Sequence, residues 1–110
     1  IEIRGYLERT FGYDLRRTLD EIRPACAFDP SCQGSVPEAI TALLEAADFK
    51  DALRNAVSLG GDADTQASIA GALSHAFGDE IPPDIEKAVR SVLPKKLLNV
   101  LTRFAEAFGA

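Results

Sequence analysis

Apolar side chains recur every three or four residues along almost the whole chain, and nowhere do they alternate one in two as a half-buried strand requires. That periodicity restricts the chain to an all-helical architecture of about seven short helices. The first covers Glu2 to Phe11, with Ile3, Leu7 and Phe11 four apart and Gly12 as its stop. The second runs from Leu15 to Arg23, capped by Asp14, with Leu15, Leu19 and Ile22 inside and Pro24 at its end. Ala25 to Gly34 is irregular, the kind of segment that lines something in a compact helical protein. Ser35-Val36-Pro37-Glu38 opens the third helix as a capping box with proline in the first turn, and Ile40, Leu43, Leu44 and Ala47 face inward.

Asp48 caps a fourth helix carrying Phe49, Leu53, Ala56 and Val57, and Gly60-Gly61 ends it. The fifth spans Asp64 to Phe77 with Gly78 as its stop. Its inner face is Ile69, Leu73, Ala76 and Phe77, while the small residues Ala67, Ala70, Gly71 and Ala72 admit a close neighbour. Pro82-Pro83 opens a sixth with Ile85, Val89 and Val92. Pro94 separates it from a seventh with Leu97, Leu101, Phe104 and Phe108. The two Tyr and six Phe are expected mostly in the core, with Phe28 in the irregular segment as the aromatic available for stacking on a ligand.

A chain of 110 residues is one domain or one piece of a larger one. A net charge of −5 repels phosphate backbones, which argues against nucleic acid. No apolar run approaches the ~20 residues of a spanning helix, so no membrane role is expected. Charge interrupts the apolar residues from Ile1 to Tyr13, unlike a signal peptide, and the first residue is Ile, so a processed, excised or trimmed chain is expected. Cys26 and Cys32 lack zinc-site spacing; a disulfide is conceivable, and two reduced thiols of a cytoplasmic protein are the preferred reading. The lone His75 is read as a surface histidine, and the pairs Asp20-Glu21 and Asp79-Glu80 as solvated.

The chemistry concentrates in Gly60-Gly61-Asp62-Ala63-Asp64-Thr65. Asp62, Asp64 and Thr65 offer three hard oxygen donors within four residues, of the type Mg²⁺, Mn²⁺ and Ca²⁺ prefer. The glycines can take positive φ, and the helix that follows turns its positive dipole end toward the carboxylates. From spacing alone, capping of that helix is the simpler account of the same residues. An EF-hand is excluded, because its sixth position would be Ala67 and its twelfth Leu73. A divalent ion takes about six oxygens, so three side chains are a partial set.

Gly12-Tyr13-Asp14-Leu15, Thr18-Leu19-Asp20-Glu21-Ile22-Arg23-Pro24, Cys32 to Ile40, Asp48-Phe49 and Arg54 to Thr65 follow one another in an order that resembles the carboxyl-terminal portion of bacterial ADP-ribosylglycohydrolases. The resemblance covers residues 1–110 and implies an orthogonal multi-helix fold. It implies a pair of Mg²⁺ or Mn²⁺ ions, with Asp62, Asp64 and Thr65 as the carboxyl-terminal ligands. It implies hydrolysis of the bond between ADP-ribose and an acceptor, on a protein or a small molecule, with Gly34 and Ser35 near the ligand. The family's Thr-Asp-Asp metal motif and its catalytic carboxylate do not occur here. The catalytic residue is therefore expected outside this chain, and the chain alone is expected to be inactive. Ala25-Cys26-Ala27-Phe28 also departs from a stretch that often contains tyrosine. The alternative is a non-catalytic helical binding or structural module whose uncovered apolar faces drive self-association.

Overall fold

The computed structural model describes residues 2–109. Among them are seven α-helices, one 3-10 turn and no strand: α1 (Ile3–Phe11), α2 (Leu19–Ile22), the turn Arg23–Ala25, α3 (Cys32–Leu44), α4 (Phe49–Ser58), α5 (Ala63–Ala76), α6 (Pro83–Val92) and α7 (Lys95–Phe108). The fold is all-α, as the periodicity requires. The chain divides into two compact units between Glu80 and Ile81. No helix of the described residues is long and apolar enough to cross a membrane.

In the first unit, Gly12 stops α1 at φ 70°, its N–H donating to the Glu8 carbonyl. The second helix is shorter than its apolar spacing predicts. Asp14 does not cap it; the Asp14 carboxylate instead accepts the Arg16 N–H at 3.2 Å and holds the chain in a local turn. The cap is Thr18, whose hydroxyl accepts the Glu21 N–H while Glu21 accepts the Thr18 N–H, both at 3.2 Å. The N–H of Leu19 then donates to Glu45 at 2.7 Å, which ties α2 to the end of α3. Pro24 sits in the 3-10 turn that follows.

The third helix also starts elsewhere than expected. It begins at Cys32, and its cap is Ser31, whose hydroxyl accepts the Gly34 N–H at 3.1 Å. Pro37 consequently lies in the second turn, where the ring removes one backbone donor. Glu38 does not reach back to Ser35. It pairs with Arg17 at 2.8 Å, largely buried. Asp48 does cap α4, accepting the Asp51 N–H at 2.8 Å.

The core differs from the predicted aromatic one. Its buried cluster is Leu19, Ile22, Ala39, Ala42, Ala56, Leu59 and Ala70. Four of these are alanines, and with buried Gly71 on α5 they bring the backbones of facing helices together. A Cβ on Gly71 would lie 3.0 Å from Leu53 and 3.6 Å from the Phe49 ring. Close approach of this kind leaves little room for large side chains where the helices cross. Of the aromatics only Phe49 is buried, whereas Tyr6, Phe11, Phe77, Phe104 and Phe108 are exposed. Val57 and Ala76, expected inside, are exposed as well. Several other expected core positions converge elsewhere: Ile3, Leu7, Ile40, Leu44, Leu73 and Phe77 line an open groove of about 340 Å³ between α1, α3 and α5.

One further expectation changes at the end of α5. Asp79 is not simply solvated; it accepts the hydroxyl of fully buried Ser74 at 2.5 Å. His75 is exposed, as expected, with Nδ1 3.0 Å from the Asp79 carbonyl oxygen. In the second unit, Pro83 takes the first turn of α6, an Arg90–Glu86 pair at 3.1 Å spans one turn, and Gly109 ends α7 at φ 67°.

Candidate metal-binding turn

Leu59 is buried and anchors the end of α4, after which Gly60 and Gly61 adopt φ 75° and 63°. Two successive left-handed residues turn the chain back sharply, a conformation that glycine adopts without the Cβ penalty. Asp62 follows at the N-cap position of α5, so the turn places a carboxyl group at the amino end of a helix.

Capping does not account for Asp62. Its side chain makes no hydrogen bond to the amides of α5, yet it is only 7 % exposed. Asp64 stands two residues on. An interaction with the Asp62 side chain, followed by the backbone N–H groups of Thr65 and of Asp64 itself, holds Asp64 below the ordinary carboxylate value of 3.8. The Thr65 N–H donates to Asp64 Oδ1 at 3.0 Å. Two aspartates this close in sequence at one turn favour a cation beside them. Asp64 is exposed and Thr65 half-buried, so the turn has a buried and an open side.

The donor set is oxygen only, which fits Mg²⁺ or Mn²⁺ and not a thiophilic metal. It is a partial set: among the described residues no three His, Cys, Asp or Glu side chains converge as a metal cluster.

The irregular segment bears on this turn. A Cβ on Gly61 would meet the Ala27 carbonyl oxygen at 2.9 Å and Cys26 Sγ at 3.1 Å. The segment's other end lies on α3. A Cβ on Gly34 would overlap the Asp29 carboxyl group, and Ser35 donates its hydroxyl to the Asp29 carbonyl at 2.8 Å. Asp29 in turn accepts the Ser31 N–H at 2.9 Å, and the Ser31 hydroxyl followed by that N–H keeps its carboxyl below 3.8. The structure thus joins the two predicted regions through one loop. Gly34 is covered by Asp29, and Ser35 is 1 % exposed with its hydroxyl engaged. Phe28, between the two anchor points, is 70 % exposed. Cys26 and Cys32 are free thiols.

Sequence reasoning missed the grip of Cys26 and Ala27 on Gly61, and it missed Gln66. This residue lies one helical turn beyond Asp62, is 1 % exposed, and directs its amide nitrogen toward Cys26 Sγ at 4.0 Å. A glutamine among the small residues of α5 was the available signal.

An all-α chain that presents an oxygen-only, two-carboxylate turn at a helix amino end is thereby defined in class. The family model described as ADP-ribosylglycohydrolase matches residues 5–109, and the chain belongs to that family. Its members are glycohydrolases of all-α fold that act on ADP-ribosylated substrates and are generally metal-dependent. Neither a comparison with curated proteins nor one with solved structures returns a match.

Proposed function

We propose that this chain supplies the Asp-x-Asp-Thr part of the metal centre of an ADP-ribosylglycohydrolase, with Asp62, Asp64 and Thr65 as ligands of Mg²⁺ or Mn²⁺. The observation that carries the reading is Asp62: a largely buried aspartate at a helix amino end whose side chain caps nothing and which stands two residues from a second aspartate. A carboxylate left unused by its own helix is available to a cation. With about six oxygens required and three side chains present, water, substrate and carboxylates outside this chain complete the coordination, and the catalytic residue comes from there too. The isolated chain then has little or no activity.

A bound divalent ion supplies positive charge that orients ribose hydroxyls and a water and offsets charge developing on the sugar. Asp62 and Asp64 fix the ion's position, the amino end of α5 lowers the repulsion between them, and the loop over Gly61 limits how far the turn can open. Phe28, exposed beside the turn's anchor, offers a face for stacking on the substrate. Gly34 and Ser35 serve the ligand by holding that loop in place. The substrate is an ADP-ribosylated protein or an ADP-ribose-containing small molecule, and the setting is cytoplasmic.

Titrating Mn²⁺ into the full-length protein and its Asp64→Ala and Asp62→Asn variants tests the assignment. Each variant is expected to lose at least tenfold in affinity. The metal-free Asp62→Asn variant should melt close to the parent, because the Asp62 side chain makes no cap hydrogen bond to lose. Equal metal affinity in all three proteins would remove the basis of the proposal.

A second reading, a helical binding module that self-associates, draws on the open apolar groove between α1, α3 and α5. A monomer with cooperative unfolding would favour a self-sufficient module, and a molten, swapped or aggregated chain would favour a piece of a larger domain.

A further inference from the structure

Polar side chains inside a small-residue core need a reason. Gln66 has one of the largest fully buried side chains in the chain, and its Oε1 has no hydrogen-bond partner. Its backbone N–H donates to the Asp62 carbonyl at 3.0 Å, which places it directly beneath the turn. Its Nε2 faces Cys26 Sγ at 4.0 Å, and that sulfur lies 3.1 Å from where a Gly61 Cβ would stand. The amide therefore sits among α5, the loop and the residue before Asp62. For stability alone an apolar side chain of similar volume would serve better, since it would leave no buried oxygen unmatched.

We infer that Gln66 is a positioning residue for the metal-binding turn. Through its contact with Cys26, it holds the loop against Gly61 and so sets where the Asp62 carboxyl stands. This rests on the metal reading above and extends it to a residue that touches neither metal nor substrate. Groups behind metal ligands commonly alter affinity by about 10–100-fold when removed.

The test is Gln66→Met in the full-length protein, a change that keeps length and volume and deletes the amide. Three quantities are read: the Mn²⁺ dissociation constant, the melting temperature of the metal-free protein, and the rate of Cys26 alkylation by iodoacetamide with Cys32 replaced by Ser. The expected result is metal affinity about tenfold weaker, a melting temperature unchanged or higher, and Cys26 alkylation several-fold faster. A purely structural glutamine would lower the melting temperature and leave the metal affinity of the folded fraction unchanged, which overturns the inference. Unchanged Cys26 alkylation overturns it as well, because the contact would then hold nothing. Two failures separate cleanly. If the parent protein takes up no Mn²⁺, the metal reading falls and this inference with it. If the parent binds and Gln66→Met binds equally, this inference alone falls.

Discussion

Ser31 shows how one hydroxyl can serve two neighbours. It accepts the Gly34 N–H at the start of α3 and hydrogen-bonds the carboxyl of Asp29, with its own N–H donating to the same group at 2.9 Å. The result is an Asp29 held below 3.8. Because its folded value is depressed, its contribution to stability is fully present above the unfolded value of 3.8. That contribution is lost only as pH falls through the lower folded value. Ser31→Ala should raise the Asp29 midpoint toward 3.8, which carboxyl chemical shifts would follow directly. It should also destabilise α3 by about 1 kcal/mol through loss of the cap. By contrast Ser35→Ala should leave the Asp29 titration nearly in place, since Ser35 binds the Asp29 carbonyl and not its carboxyl. A larger change of midpoint in Ser35→Ala than in Ser31→Ala would reverse this assignment.

At the level of elements, helix stops and starts were legible wherever one residue type has one use. Gly12, Asp48 and Gly78 act as their types predict, the last at φ 106°. Starts were misread where two caps compete within a few residues: Thr18 prevails over Asp14, and Ser31 over Ser35. In both cases the deciding partner is long-range or loop-borne, Glu45 for α2 and Asp29 for α3, and periodicity carries no trace of it. The acidic turn was legible because its residues are contiguous, whereas Gln66 and Cys26 are forty apart and meet only in the fold. The small-residue stripe of α5 was read correctly as a place of close approach, and Gly71 gives it a measurable form. A methyl there meets the mobile end of Leu53 at 3.0 Å, and alanine gains about 0.5–1 kcal/mol of helix propensity over glycine. Gly71→Ala should therefore lie within about 1 kcal/mol of neutral, whereas Gly71→Leu must push α4 away and should cost about 1–3 kcal/mol in chemical denaturation. Equal stability of the two variants would mean that α4 and α5 are not in close register at this point.

For the whole molecule the question is where the large apolar side chains have gone. A core of alanines is thin, and Ile3, Leu44 and Phe77 remain 51 %, 46 % and 65 % exposed along one groove of the first unit. Contiguous apolar surface of this kind is uncommon on a monomer and favours association. Covering a half-exposed Leu or Phe contributes about 1 kcal/mol at ~25 cal/mol per Å². Three such residues are thus enough to shift an association constant by roughly two orders of magnitude. The isolated 110-residue chain is expected to self-associate with a concentration-dependent sedimentation coefficient. Leu44→Glu combined with Phe77→Glu places two charges in the groove without touching the alanine core or the acidic turn. That variant should sediment as a monomer at concentrations where the parent does not, with association weakened at least tenfold, and its helical content should be unchanged. If the parent is already monomeric at high concentration, the groove is not an association surface, and the exposed stripe must be tolerated by the folded chain as it stands.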